Sequence, residues 1–206
     1  MGLFKRLAEK PWLVPAEGSV ESLRSSEFSV HNRKVALVVF LAIIGVLFFL
    51  FFAAYHMRIL LSTDWVAAPE PPLLWINTVV LIICSGAFEF SRNTARRSQL
   101  QRTRTWFLVA GVLTLVFLVG QLIVWNQLID YGYTAEKNPA NAFFYLITGV
   151  HGAHLLGGLI AWVRAARKIR EDADPSVLRV SVELCAIYWH FLLFVWVVML
   201  ALFLNT

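Results

Sequence analysis

Two short stretches carry the side chains able to do chemistry. His151 and His154 stand three apart in Thr148-Gly149-Val150-His151-Gly152-Ala153-His154, and Glu183 and His190 stand seven apart further on. Both spacings bring a pair of side chains to nearly one face of an α-helix. Imidazole is the commonest metal ligand and exchanges protons near neutral pH, so three chemistries are open. Histidines on separate helices could ligate a haem; they could form a proton path; or they could make hydrogen bonds that fix helix register and hold lipid. His154 and His190 would be the haem pair, but Trp189 and Phe191 crowd the second ligand. No carboxylate is expected at their depth to orient a ligand or relay a proton. The third chemistry is the better supported, with no catalytic residue, metal or cofactor assigned to this chain.

Such groups need elements that can hold them. Of 206 residues, 59% are hydrophobic and only 15% charged, against roughly 25% charged in soluble proteins. Five apolar runs, about Val35–Met57, Leu73–Phe90, Thr105–Ile129, Asn141–Val163 and Val180–Leu204, are long enough to cross about 30 Å of hydrocarbon as helices. They are continuous rather than alternating, which favours helices over a barrel. The sequence therefore predicts an all-α polytopic membrane protein, a bundle of five transmembrane helices. Residues 1–34 form a polar segment before the membrane domain, 35–206. The last two helices run in opposite directions, so at about 1.5 Å per residue His154 and His190 both lie near the midplane. Glu183 lies closer to the surface, within reach of Arg164 or a lipid headgroup, and Glu89 is placed near a helix end. Gly149, Ala153 and Gly157 repeat every four residues. This smooth face is expected to pack the last two helices together.

Charge sets the orientation. Of the 18 Lys and Arg, 16 fall before the first helix or in the second and fourth connections, leaving Arg58 and Lys137 on the other side. Basic loops stay in the cytoplasm, so the N-terminus is expected inside and the C-terminus outside. The net charge of +5 follows from that topology; its partners are anionic headgroups, not nucleic acid. Cys84 and Cys185 fall inside apolar runs and read as small buried hydrophobes. Trp65, Trp75, Trp106, Trp162 and Tyr131 sit near helix ends as interfacial anchors do. Leu3, Phe4 and Leu7 beside Lys5, Arg6 and Lys10 suit a short surface-bound turn or a loose tail. Pro69, Pro71 and Pro72 stiffen the first outer connection, and Asp174-Pro175 suits the start of the last helix. No cleavable signal peptide is expected, because the first apolar run begins near residue 35 and is a full span.

The two histidine-bearing stretches also carry a resemblance. Thr148-Gly149-Val150-His151-Gly152-Ala153-His154 resembles the T-G-x-H-G-x-H signature of cytochrome c oxidase subunit III. Tyr188-Trp189-His190-Phe191, followed by Val195-Trp196 and preceded by Glu183, is similar to the family's Y-W-H-F segment. Asn77-Thr78 with Ser85-Gly86 resembles its N-T…S signature, and Gln127-Leu128-Ile129-Asp130-Tyr131 its Q-x-x-E-Y, with Asp for Glu. Two departures stand out. Where the family commonly has an intramembrane glutamate, this chain reads Ile44-Gly45-Val46-Leu47-Phe48-Phe49, and the aspartate after Y-W-H-F is Leu193. The resemblance implies a five-helix bacterial subunit in the cell membrane, without a redox centre. Its implied partners are the oxidase catalytic subunit I, subunit II and bound phospholipid, with haems and copper on the partner subunits of the hetero-oligomeric complex. It assigns lipid contact and helix register to His151, His154, Glu183 and His190, with Asn77, Thr78 and Gln127 as second choices. The same scaffold serving a quinol oxidase or nitric oxide reductase is an alternative, and a haem-bearing cytochrome b-like anchor is another.

The orientation is open to a direct check. A cysteine introduced as Lys137→Cys should react with a membrane-impermeant maleimide from outside intact cells, and one introduced as Arg97→Cys should not. The reverse pattern would invert the topology.

Overall fold

The structure, a computed structural model, describes residues 20–61, 71–170 and 175–205. Among them every regular element is an α-helix: α1 (Val20–Leu61), α2 (Pro72–Arg96), α3 (Leu100–Asp130), α4 (Pro139–Arg170) and α5 (Pro175–Leu204). Each contains a stretch long and apolar enough to cross a membrane. The chain divides into two compact units, Met1–Phe40 and Leu41–Thr206. The described part of the first is helical from Val20, and the second holds the bundle. The basic N-terminal turn, Trp65, Pro69 and Asp174 lie outside the described residues.

The helices outrun their apolar cores. α2 continues past Phe90 to Arg96, α3 starts at Leu100, α4 runs to Arg170 and α5 opens at Pro175. Hydropathy marks where hydrocarbon ends, but backbone hydrogen bonding carries on into polar sequence rich in good helix formers such as Arg, Gln and Ala. Pro72, Pro139 and Pro175 stand at helix starts, where a missing N–H leaves no bond unmade.

Short connections make sequential helices antiparallel. Between α2 and α3, Ser98 takes a left-handed φ of 56°. Gln99 N–H then reaches Thr94 O at 3.0 Å and Ser98 N–H reaches Ala95 O at 3.2 Å, the paired bonds of a Schellman ending. α3 ends the same way around Gly132, φ 83°, with Tyr133 N–H on Leu128 O and Gly132 N–H on Ile129 O, both at 2.9 Å. Arg104, in the first turns of α3, donates from Nε and Nη2 to Ile169 O at 3.0 and 2.7 Å. That cation satisfies a carbonyl in the last turn of α4.

α2 packs on α3 and α5, and α4 packs on the same two helices. Three indoles tie this ring. Trp125 of α3 donates to Thr148 Oγ1 of α4 at 3.2 Å, and Trp189 of α5 to Thr114 Oγ1 of α3 at 2.9 Å. Trp196 of α5 donates to Thr78 Oγ1 of α2 at 3.0 Å. Each threonine hydroxyl is free to accept because its own proton goes to a carbonyl four residues back, on Ala110, Phe144 and Leu74. From Leu41 on, α1 joins mainly through side chains. Phe48 meets the rings of His151 and His154, and Tyr55 those of Phe143 and Phe203.

The small-residue face behaves differently from the expectation. A Cβ on Gly149 would meet Trp125 of α3 at 3.5 Å, and one on Gly157 would meet nothing within 4 Å. Ala153 and Gly157 are exposed. α4 meets α5 instead at Gly158, where a Cβ would lie 2.6 Å from the Tyr188 ring and 3.1 Å from that of Trp189. One residue of helix is about 100° of rotation, so the four-residue repeat, read without the neighbours, points to the adjacent stripe. Trp162 is likewise no simple anchor. Its N–H donates to Phe107 O at 2.9 Å, its ring stacks on Phe107, and a Cβ on Gly111 would lie 2.1 Å from it. Trp75 and Tyr131 remain exposed near helix ends.

Gly111→Ala should therefore displace an anchored indole and lower stability by about 1–3 kcal/mol, the usual effect of overpacking. Gly157→Ala, with open space for its methyl, should not destabilise and should gain up to about 1 kcal/mol of helix propensity. Thermal unfolding in mild detergent separates the two, and equal effects would mean that α3 and α4 do not meet at Gly111.

Candidate functional site

One face of α2 carries Ser85, Glu89, Arg92 and Arg96, spaced by four, three and four. It lies against the face of α5 that carries Glu183 and His190, and the two form a ladder. His190 Nδ1 makes a close hydrogen bond with Ser85 Oγ, and His190 Nε2 lies 3.2 Å from Glu89 Oε2. An ionised carboxylate only accepts, so Nε2 carries a proton, and in the neutral ring Nδ1 accepts from the serine hydroxyl. Arg92 Nη1 donates to Glu89 Oε2 at 3.1 Å, and its Nη2 lies 3.7 Å from Glu183 Oε1. Arg96 Nη2 reaches the same Glu183 oxygen at 3.4 Å, and Arg179 donates to Arg96 O at 3.1 Å. Charge alternates along the seam from Glu89 to Arg96, two carboxylates against two guanidiniums.

Two expectations are corrected here. A carboxylate does stand beside one of the histidines. Glu89 looks terminal in the sequence because the apolar run stops at Phe90, but α2 continues to Arg96, so Glu89 sits about two turns inside the helix. Depth reckoned along α4 and α5 alone could not reveal a partner supplied by α2. Glu183 is held by Arg92 and Arg96 of α2, not by Arg164 of α4, because α5 packs its acidic face on α2.

The other histidines go elsewhere. His154 Nδ1–H donates to Val150 O of its own helix at 2.8 Å, its ring lies 5.6 Å from that of Phe48, and its carbonyl accepts from Tyr188 Oη at 2.8 Å. His151 is 1% exposed in a cage of Phe48, Phe117 and Trp196, and neither ring nitrogen has a hydrogen-bond partner among the described residues. His154 thus faces α1 and His190 faces α2, so the pair weighed as haem ligands is not brought together. Asn77 and Thr78 are buried, which gives them a place in packing: Thr78 receives Trp196. Asn77 fills the space above Gly120, where a Cβ would lie 2.1 Å from its Oδ1.

Gln127 is half-buried. The buried glutamine is Gln121, whose amide has no hydrogen-bond partner among the described residues. Reading the sequence missed Gln121 and Thr114, and although Thr78 and Thr148 stand in the quoted stretches, it did not show that they accept indole N–H groups. Their signal was available: a lone polar residue at helical spacing from other buried ones within an apolar run. Cys84 and Cys185 are free and buried, as expected.

No protein-family model matches the chain. Curated proteins do. It is 30% identical over 156 residues to a probable cytochrome c oxidase subunit 3 of Mycobacterium leprae, covering 72% of this chain and 77% of that one. A cytochrome c oxidase subunit 3 of Corynebacterium diphtheriae is 29% identical over 126 residues, covering 61% of this chain and 62% of its own length. One from Thermostichus vulcanus is 26% identical over 193 residues, covering 92% and 94%.

The ladder and the cage predict opposite signs. His190→Phe removes two cross-helix hydrogen bonds, and at about 0.6 kcal/mol each should destabilise the bundle by about 1 kcal/mol. His151→Phe keeps the ring but removes a buried polar group without partners, which costs about 1–3 kcal/mol, so it should stabilise. Unfolding midpoints in detergent report both, and a destabilised His151→Phe would mean that the imidazole has a bonded partner.

Proposed function

The chain belongs to the cytochrome c oxidase subunit 3 family, and from that premise we propose that it is the non-catalytic third subunit of a terminal oxidase that reduces oxygen to water. In this reading it lies in a bacterial cell membrane with its N-terminus in the cytoplasm. It packs against the catalytic subunit I, beside subunit II, and keeps the assembly and its adjacent phospholipid in place. Haems and copper belong to those partners, and proton pumping to the whole complex. The observation that carries the non-catalytic reading is the internal use of the ionisable groups. His190 is engaged at both nitrogens by Ser85 and Glu89, His154 Nδ1 is engaged by Val150 O, and His151 is sealed among aromatic rings. The orientation is supported by the 16 of 18 basic residues on one side.

The test is purification of the tagged chain from membranes in mild detergent. Haem-bearing partner chains should come with it, and the chain purified alone should show no haem absorbance. In the complex, His154→Ala removes only a packing contact to Phe48 and a bond within α4. The initial oxidase rate should stay near wild type, while activity during sustained turnover should decay faster. One haem per isolated chain, lost in His190→Ala, would overturn this reading; an immediate collapse of the His154→Ala rate with haem intact would place that histidine in the chemistry.

A further inference from the structure

At the corner where α2 turns into α3, a cleft of about 670 Å³ opens between the helix ends. Its charged groups are Arg97 and Arg102, both exposed, and among the described residues no carboxylate lines it. Glu89, the acid on the adjoining turn of α2, is already held by Arg92 and His190. Arg102 Nη1 donates to Gln99 Oε1 at 3.4 Å, a neutral acceptor, and among the described residues no carboxylate pairs with it. Asn93, Thr94, Gln99, Gln101 and Thr105 supply the rest of the polar lining. Toward the apolar part of the helices the cleft is bounded by Phe90 and Trp106, which stack at 5.2 Å with planes 28° apart and are 58% and 38% exposed. Cationic groups at the wet end, with amphipathic aromatics below them, match a membrane–water interface.

The same seam continues as an apolar groove. Ile76, Ile83 and Phe90 recur every seven residues on α2, one stripe of the helix, and Arg97, the next step of seven, stands just past its end. On α3 the stripe runs through Arg102, Thr105, Val109, Val112 and Val116. Between α2 and α3 a second hollow of about 400 Å³ is lined by Ile76, Val80, Val112, Val116 and Val119 among others, with Leu73 and Ile123 at its far end. Half of a hydrocarbon core is about 15 Å, or about ten residues of helix, which is the separation of Trp106 from Val116. One acyl chain therefore reaches from the cleft into the groove.

We propose that this corner binds one anionic phospholipid, its phosphate between Arg97 and Arg102 and an acyl chain laid along the α2–α3 seam. A soluble phosphate matches the head of this site but not the aromatic floor or the groove. The site lies apart from the Glu89–His190 ladder. It extends the lipid contact of the reading above, and its failure would leave co-purification with haem-bearing chains untouched.

The full chain in detergent should bind phosphatidylglycerol at one site, measured by native mass spectrometry, at least tenfold tighter than phosphatidylcholine. Millimolar inorganic phosphate should not displace it. At about fivefold per basic group near a membrane surface, Arg97→Gln with Arg102→Gln should weaken phosphatidylglycerol binding about 25-fold and leave phosphatidylcholine binding unchanged. Arg97→Lys with Arg102→Lys, which keeps the charge, should retain the preference, and Arg164→Gln with Arg167→Gln, at the end of α4, should not alter it. Helicity by circular dichroism confirms that each variant is folded. Equal binding of the two lipids, full displacement by inorganic phosphate, or an equal loss in the Arg164/Arg167 pair would each overturn the proposal.

Discussion

In hydrocarbon a helix keeps its backbone hydrogen bonds to itself, so almost nothing polar on the main chain is left to join one helix to the next. Packing supplies the rest of the attraction, and it holds helices without fixing how far one slides along another. In this bundle the fixing falls to threonine. Thr78, Thr114 and Thr148 each donate their hydroxyl proton to a carbonyl one turn back and accept an indole N–H from a neighbouring helix. The acceptor lone pair exists in a defined direction only because the proton is committed. A one-residue slip of α5 against α2 and α3 would break Trp196–Thr78 and Trp189–Thr114 together and leave two buried indole N–H groups unpaired. The remaining contacts inherit their positions from that register, including the close approach of α4 at Gly158 and the ladder from Ser85 to Arg96.

The ladder works on a different scale. The Glu89 and His190 side chains are each 38% exposed, and in water such a pair would contribute little. At this depth the exposed part faces lipid or another chain, so each charge must be neutralised by its neighbours. Glu89 and Glu183 share Arg92, Glu183 also takes Arg96, and the guanidiniums reach toward the basic end of the bundle as long cationic side chains do. Charge is thereby led from the interior to the surface without any one ion being left alone, which agrees with the high cost of intramembrane charge.

How much of this was legible in the sequence varies with the kind of information involved. The five spans follow from composition alone, because hydropathy is a local property. Helix ends were read short, since Arg96 and Arg170 are polar yet still helical. His151, His154 and His190 were recognisable as unusual, but their partners were not, because a partner depends on which helix lies alongside. Glu89 was dismissed as a terminal acid and the Gly157 stripe was given to α5, and both misreadings come from treating α4 and α5 as a pair without α2 and α3. Thr114 went unnoticed, and Thr78 and Thr148 were read without their partners, for a related reason: a hydroxyl inside an apolar run is ordinary until an indole is known to face it.

The two departures from the family pattern can be placed in the same terms. Gly45, in the stretch Ile44–Phe49 that holds no acid, faces Phe191 of α5, 3.8 Å from where a Cβ would be. Leu193, where it has aspartate, lies one turn beyond the ring of His190. The contact of α1 with α5 near that histidine is therefore apolar, and α1 is held to the bundle by Phe48 and Tyr55 rather than by charge. The carboxylate that meets His190 comes from α2, from a position two turns inside a helix that ends at Arg96. A carboxylate at Gly45 would face Phe191, whereas Glu89 has Arg92 one turn away on its own helix. Placing the acid on α2 keeps a cation within 3.1 Å of it, so the histidine gains a hydrogen-bond acceptor without an unpaired charge being buried.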